Sequence, residues 1–213
     1  MLLGTIGAFA LTGCRNLPGP RETTPDGLER VPSRRAGGVF RLPGAPFTQY
    51  KRLILEPVTV SFVDKWQKNH PEISDREVRR ITEETAKMFR EEFERELIKS
   101  AKYSFADDPG ADVLIVAPTI TDLDIPAPWS DNMDLHTMAP RSISLHATGE
   151  LRDAASGTLV GRVDMFAGGQ QYGLHEFREG TRTSNAFEIR NHVREWSRLL
   201  REALNVAKTE RPR

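Results

Sequence analysis

Residues 74 to 97 restrict the fold more than any other stretch, because they predict a long amphipathic helix. Ser74 and Glu77 have the spacing of a capping box, in which each side chain accepts a hydrogen bond from a backbone N–H of the first turn. Apolar positions then recur every three or four residues, with charged residues between them. Such a helix needs a second layer on which to pack its apolar face. The positions of this face are Val78, Ile81, Thr85, Met88, Phe89, Phe93 and Leu97.

Four segments with strand patterns surround this helix in the sequence. Residues 50–62 alternate around Pro57, which predicts a strand with an edge position or a bulge at the proline. The continuous apolar run 113–117 predicts a buried central strand that extends to residue 123. Alternation in 143–151 and in 159–165, separated by turn residues 153–157, predicts a hairpin.

Helical spacing returns in residues 184–208, where Asn185 and Glu188 are the predicted caps and Phe187 and Trp196 belong to the apolar positions. The predicted order is therefore β-α-β-β-β-α. We expect an α/β (α+β) domain with a four-stranded mixed or antiparallel sheet, covered on one face by the two long helices.

Composition excludes several classes of protein. The 213 residues contain 30 basic and 30 acidic side chains, so the chain lacks the net positive charge typical of nucleic-acid binding. Its single cysteine permits neither an internal disulfide nor a cysteine-rich zinc site. We expect no cofactor and no nucleic-acid partner.

The amino terminus carries a targeting pattern. Leu2 to Gly13 contain no charge, end in small residues and are too short to span a bilayer. Leu11-Thr12-Gly13-Cys14 resembles the lipobox of bacterial lipoproteins, although no basic residue opens the segment. The resemblance implies that residues 1–13 are a signal peptide and that Cys14 carries acyl chains such as palmitate. Two or three chains hold a domain firmly on a membrane. The alternative is that residues 1–14 form a buried element.

Residues 14–46 contain six prolines and show no period, which predicts a proline-rich tether. The expected organisation is thus a signal peptide (1–13), a lipid-anchored tether (14–46), one α/β domain (47–208) and a tail (209–213). In the lipoprotein pattern an aspartate after the cysteine retains the protein in the inner membrane. Arg15 stands there instead, so the resemblance implies an outer-membrane anchor and a periplasmic domain.

The chain beyond the signal resembles a bacterial envelope lipoprotein family catalogued as domain of unknown function 3313. The resemblance covers about residues 46–208. It rests on the order of YKRLILEPVTV (50–60), APTITD (117–122), the hairpin 149–159, Ala186-Phe187 and Trp196. It implies an envelope lipoprotein with a small α/β domain and supplies no catalytic residue.

Candidate ligands for a hard cation occur in and beside the loop that follows the central strand, but their spacing is not that of an EF-hand. They are Asp122, Asp124, Asp131, Asp134 and His136. The five histidines are scattered, without a zinc-hydrolase motif. We therefore predict no metal site and no catalytic residue. Of the three tryptophans, Trp196 is expected in the core, and Trp129, in the long loop, is the expected partner contact.

These observations favour a non-enzymatic, lipid-anchored envelope protein. Its periplasmic domain is expected to bind another envelope component, in an accessory role in envelope transport or assembly. Two alternatives stay open: binding of a lipid or small apolar ligand between sheet and helices, and hydrolysis of envelope polymers at carboxylates such as Asp122 and Asp124.

Overall fold

The structure is a computed structural model that describes residues 22–33, 37–100, 103–126, 128, 138–139, 141–170 and 177–209. The strands are β1 (Glu29–Val31), β2 (Gly38–Arg41), β3 (Arg52–Leu55), β4 (Thr59–Phe62), β5 (Ser104–Phe105), β6 (Val113–Asp124), β7 (Met138–Ala139), β8 (Ser144–Asp153), β9 (Leu159–Gly168) and β10 (Arg178–Glu179). The helices are α1 (Trp66–Asn69), α2 (Asp75–Ser100) and α3 (Arg182–Thr209), and a 3-10 turn covers Phe47–Gln49.

One mixed sheet of eight strands forms the centre of the domain. Its order is β1-β2-β9-β8-β6-β3-β5, and β4 pairs with β6 beyond the end of β3. Strands β3 and β4 run parallel to β6, whereas β8, β9 and β2 form an antiparallel series. A separate two-stranded sheet joins β7 and β10.

The strands bury alternate residues, so the sheet has one apolar and one polar face. In β8, Leu145, Ala147 and Leu151 are buried, while His146 and Glu150 are partly exposed. The buried side chains belong to one core cluster that includes residues of both α2 and α3. Both long helices therefore cover the same face of the sheet, as predicted. No helix among the described residues is long and apolar enough to cross a membrane.

Both long helices begin with a reciprocal cap. Ser74 accepts a hydrogen bond from the Glu77 backbone N–H, and Glu77 accepts one from the Ser74 N–H, which confirms the predicted capping box. Helix α3 starts earlier than predicted, because Thr181 and Ser184 cap each other in the same manner. Asn185 is therefore inside the helix, where it accepts a hydrogen bond from Arg178.

Trp196 is fully buried in the core, as predicted. Its ring packs on Phe89, with 4.8 Å between ring centroids, and lies against the backbone of Gly149 in the middle of β8. A Cβ atom at position 149 would come within 2.6 Å of the indole ring. Glycine is therefore required there by close approach of a buried side chain.

Helices α2 and α3 run parallel, because the residue numbers of their ion pairs rise together. Arg182 pairs with Glu84 at the start of the contact, and Arg201 pairs with Glu96 towards its end. Between these pairs, the fully buried carboxylate of Glu92 is bound by three arginines, Arg95, Arg190 and Arg194, at 2.6 to 3.1 Å. Their hydrogen bonds outweigh the opposing effect of burial and lower the pKa of Glu92 to about 2.

The structure corrects the extent of the predicted tether. Residues 29–31 and 38–41, which were expected in a flexible linker, form β1 and β2 and extend the sheet beyond β9. Val39 is buried in the core, and Phe40 is buried beneath the guanidinium groups of Arg30 and Arg162. Proline, glycine and arginine dominate the composition of this segment and conceal two strands too short to show a period.

The predicted four-stranded sheet is also wrong in its number of strands. Residues 50–62 form two strands separated at Pro57, and both pair with the same edge of β6. Together with β1, β2 and β5, this division raises the number from four to eight. The order of the main elements, β3/β4, α2, β6, β8, β9 and α3, is as predicted.

Candidate functional site

Four large apolar side chains are exposed at the end of the domain where β6 and β9 finish and where β8 and α3 begin. Their exposed fractions are 51% for Met138, 66% for Phe166, 57% for Phe177 and 65% for Phe187. We call this end, marked by these four residues, the apolar end. Two other large apolar residues exposed in the described part of the chain, Phe105 and Val206, lie in β5 and near the end of α3.

Contacts between neighbouring residues bring the four side chains to one end. Strand β10, which follows Phe177, pairs with β7, which contains Met138. Arg178 of β10 forms an ion pair of 3.0 Å with Glu188, the residue after Phe187. Glu188 also accepts a hydrogen bond of 2.7 Å from the Ile143 backbone N–H, just before β8.

The backbone beside Phe166 is fixed by a second set of contacts. Gly168 has a positive φ of 82°, and a side chain there would collide with the carbonyl oxygen of Ile143. The same oxygen lies 3.2 Å from Nε2 of His192. Burial lowers the pKa of His192 despite the charge of Glu188, so the imidazole is uncharged at neutral pH and its N–H donates to the carbonyl. His192 of α3 thus contacts the chain just before β8, beside the end of the strand that carries Phe166.

A groove opens at the same end, between the first turns of α3 and the middle of α2. Its volume is about 30 Å³, far below the roughly 300–1,000 Å³ of a pocket for a drug-sized ligand. Ala186, next to the exposed Phe187, is part of its wall. The lining residues are Arg80, Ile81, Glu84, Thr85, Met88, Ile125, Pro128, Arg182, Asn185, Ala186 and Ile189.

An ion cluster forms the polar part of the groove. Glu84 binds Arg80 at 3.2 Å through one carboxylate oxygen and Arg182 at 2.5 Å through the other. Burial alone would raise the pKa of Glu84, but the hydrogen bond from Arg182 and the charge of Arg80 lower it below its ordinary value. The cluster therefore carries two positive charges and one negative charge at neutral pH.

Two lining residues each have one buried side-chain atom without a hydrogen-bond partner in the described part of the chain, the Oγ1 of Thr85 and the Nε of Arg80. Thr85 is fully buried, so water at the surface does not reach its hydroxyl group. Burying such a group without a partner costs about 1–3 kcal/mol. The Thr85 hydroxyl can donate or accept a hydrogen bond, whereas the Nε–H of Arg80 can only donate.

The structure does not assemble the candidate metal ligands that it describes. Asp122 is exposed in a positive-φ conformation at the irregularity of β6, and Asp124 forms an ion pair of 2.6 Å with Arg141. Neither lines the groove. Within the described ranges, no three acidic, histidine or cysteine side chains form a group that could hold a metal ion.

Several predicted residues lie outside the described ranges. They are the lipidation candidate Cys14, the predicted partner contact Trp129, and the loop residues Asp131, Asp134 and His136. The third tryptophan, Trp66, is buried, stacks on Phe62 at 4.3 Å and donates a hydrogen bond to the Ile125 carbonyl.

The sequence analysis assigned Phe187 to the apolar stripe of the second helix, and this assignment is wrong. The buried stripe follows Ile189, Val193, Trp196 and Leu200, whereas Phe187 precedes Ile189 by two positions and lies on the other side of the helix. Phe166 follows the buried Met165 and points to the opposite face of the sheet. Both outliers are visible in the sequence as large aromatic residues out of phase with their element.

Comparison with solved structures finds distant similarity. The PelC dodecamer from Paraburkholderia phytofirmans has 10% identity and a TM-score of 0.37, with 76% of this chain and 97% of that chain covered. A homolog of neuraminyllactose-binding hemagglutinin from Helicobacter pylori has 10% identity and a TM-score of 0.31, with 84% and 88% covered. Similarity at this level assigns no function to this chain.

Sequence comparison is more specific. No curated protein matches this sequence. A family model described as protein of unknown function, DUF3313, matches residues 23–199, which include all strands of the main sheet and most of α3. This chain belongs to the DUF3313 family.

Proposed function

We propose that this protein is a non-enzymatic, lipid-anchored envelope protein that binds another envelope protein through the apolar end. The exposure of Met138, Phe166, Phe177 and Phe187 at one end carries the proposal. Single exposed apolar residues are common in soluble domains, but several large ones at the same end of a domain favour a contact with a partner. Aromatic residues and methionine are also enriched in protein interfaces.

The anchor in this proposal is Cys14, at the end of the lipobox-like segment. Thr23 pairs with the backbone of Glu29, so at most eight residues separate Cys14 from the first paired residue of the domain. Eight residues span at most about 28 Å when fully extended. The domain would therefore stay close to the membrane, which favours a partner in the same envelope layer.

The chemistry of the groove is that of a binding surface. Its charged side chains are tied into the cluster of Arg80, Glu84 and Arg182, and its remaining described walls are mostly aliphatic. The lining residues include no histidine or cysteine, and their one carboxylate, that of Glu84, already binds two arginines, so the groove offers no free base. The hydrolase alternative gains no support from it.

The lipid-binding alternative also gains no support from the space between sheet and helices. The side chains that meet there, such as Leu53, Leu114 and Leu200, are fully buried in one continuous core cluster. A bound acyl chain would have to displace them.

Site-specific photo-crosslinking tests the proposal. A photoreactive phenylalanine analogue is placed at position 187 of the chain in native envelopes, and at position 206 as the matched control, since both side chains are exposed on α3. We expect a defined protein adduct from position 187 and none from position 206. Equal adducts from both positions, or none from either, would contradict a binding site at the apolar end.

The anchor has a separate test in the mass of the amino-terminal peptide. We expect acyl chains on Cys14, loss of residues 1–13, and release of the domain from membranes in Cys14→Ser. An intact, unmodified amino terminus would remove the envelope assignment and leave the binding surface to be explained by another partner.

A further inference from the structure

We infer that the apolar end faces the bilayer that holds the anchor, and that the partner of the proposed function is a protein embedded in that bilayer. The inference rests on the proposed function, in particular on the anchor at Cys14, and names the class of partner that the apolar end can reach. Three features support it: the direction from which the chain enters the domain, the short length of chain after Cys14, and the placement of the exposed aromatic residues.

The chain enters the domain from the apolar end. Thr23 forms an antiparallel bridge with Glu29, and the Arg30 backbone N–H donates to the Glu22 carbonyl at 2.9 Å. The side chains of Arg30 and Glu22 form an ion pair of 2.9 Å as well. Strand β1 runs in the same direction as β9, since each is antiparallel to β2. The step from Glu22 to Thr23 therefore leads away from the end where β9 finishes, which is the apolar end.

The register of the sheet limits how far Cys14 can lie beyond this end. Thr23 is level with Gly161 of β9, because β1 and β2 pair in register between them. Phe166 follows Gly161 by five residues, which is about 17 Å along an antiparallel strand. The eight residues between Cys14 and Thr23 span at most about 28 Å, so Cys14 lies at most about 11 Å beyond the level of Phe166.

A soluble domain does not fit into that distance. A domain of about 100 residues has a radius of gyration of about 13 Å, which corresponds to a diameter of about 34 Å. This diameter is about three times the largest gap between the apolar end and an anchor at Cys14. A partner that contacts the whole apolar end therefore projects from the bilayer itself.

The exposed aromatic residues are placed for contact from below the end of the domain. Phe166 lies on the sheet face opposite the helices, whereas Phe187 lies on the side of α3 that faces away from the core. A partner on one face of the domain thus meets only one of them, but a surface that faces the end meets both. Proteins embedded in a bilayer carry Trp and Tyr at the level of the headgroups. These side chains favour packing against phenylalanine.

The test measures which end of the domain lies near lipid. The acylated full chain is reconstituted into vesicles of phosphatidylethanolamine and phosphatidylglycerol and labelled with a small fluorophore at one introduced cysteine. Cys14 is the single natural cysteine, and its acylated sulfur does not react with the label. Phe166→Cys and Phe187→Cys report on the apolar end, and Phe105→Cys and Val206→Cys are the matched controls, since all four side chains are exposed.

The controls lie at the opposite end of the sheet and of α3. Through β3 and β6, Phe105 is level with Asp153 of β8, whereas Phe166 is level with His146. These two levels are seven residues, or about 24 Å, apart along β8. Val206 is 19 residues from Phe187 on α3, or about 28 Å.

Vesicle lipids with a nitroxide on the headgroup quench the fluorophores that lie close to them. We expect the quencher to lower the fluorescence from positions 166 and 187 by about twofold or more, and to leave positions 105 and 206 unchanged because they lie about 24–28 Å farther from the bilayer. Equal quenching at all four positions, or stronger quenching at 105 and 206, would overturn the inferred orientation.

The class of the partner has a separate readout. The protein captured by photo-crosslinking at position 187 is identified by mass spectrometry, and its extraction from envelopes is then measured without crosslinking. We expect a protein with membrane-spanning segments that resists alkaline carbonate and is released by detergent, since insertion across a bilayer is effectively irreversible. A partner that carbonate releases would overturn the inference.

Failure of this inference is distinguishable from failure of the proposed function. If position 187 crosslinks to a protein but positions 105 and 206 are the quenched ones, the binding surface stands and the orientation is wrong. If positions 166 and 187 are quenched but position 187 crosslinks to no protein, the apolar end rests on lipid alone, and the proposed partner and its class are both wrong. An unmodified Cys14 would overturn the anchor and the orientation together.

Discussion

The contact between α2 and α3 has two halves that differ in packing: one binds buried carboxylates to arginines, and the other leaves a groove between the helices. In the second half, the buried carboxylates of Glu92 and Glu96 are each bound by arginines. In the first half, a groove remains open and the buried hydroxyl of Thr85 has no partner. We call these the paired half (residues 91–97 of α2 with 190–201 of α3) and the open half (residues 80–89 with 182–189).

On this pair of helices, we assign stabilisation of the fold to the paired half and binding to the open half. A buried charge is tolerated when several hydrogen bonds compensate for its lost hydration, so the paired half fixes the register of the two helices. The open half leaves a small groove between the helices and lies near the exposed Phe187.

The largest expected effect is in the paired half, from Glu92→Ala. This change leaves Arg95, Arg190 and Arg194 without the carboxylate that binds them. We expect the free energy of unfolding to fall by about 2–3 kcal/mol, because the loss of a buried ion pair is reduced by the partial exposure of the arginines. Urea denaturation measures this change.

The control is Glu94→Ala, which removes an exposed ion pair with Arg90 on the same helix. It should cost less than about 0.5 kcal/mol. A similar loss in the two variants would mean that the burial of Glu92 has no special role in stability.

Acid should weaken the paired half over a defined range of pH. The pKa of Glu92 is about 2 in the folded domain and near 4.5 when unfolded, so its contribution is complete above pH 4.5 and is lost as the pH falls towards 2. We expect the stability difference between wild type and Glu92→Gln to shrink by about 2 kcal/mol between pH 5 and pH 2. A difference that stays constant over this range would contradict the paired state of Glu92.

The open half should accept a larger side chain without harm. Ala186→Leu fills the groove from the α3 side, and we expect the free energy of unfolding to change by less than about 1 kcal/mol because the space is empty. A loss of several kcal/mol would show that the groove is already closed in solution.

The sequence was sufficient to predict the elements whose signals are local. The capping box of Ser74 and Glu77, the hairpin of β8 and β9 and the core position of Trp196 all follow from short patterns, and the structure confirms them. Strands β1, β2 and β5 have two to four residues each; β2 and β5 pair with strands that are distant in the sequence, β9 and β3, and β1 pairs with β2. Alternation over so few residues carries no signal.

The candidate site was harder to predict than the fold. Phe166 and Phe187 break the phase of their elements, so their exposure was predictable from the sequence. The groove was not, because it depends on how α2 and α3 meet beside Ile125. Thr85 lies on the apolar stripe in the sequence, and only the packing shows that its hydroxyl lacks a partner.

The most direct test of the account compares the two ends of the domain in native envelopes. One variant carries Phe166→Ser, Phe177→Ser and Phe187→Ser, and the other carries Phe105→Ser and Val206→Ser. All five side chains are exposed, so the free energy of unfolding of both variants should lie within about 1 kcal/mol of that of the wild type. We expect chemical crosslinking in native envelopes to capture the partner with the second variant and not with the first. Retention of the partner by the first variant, or equal loss in both, would contradict a binding site at the apolar end.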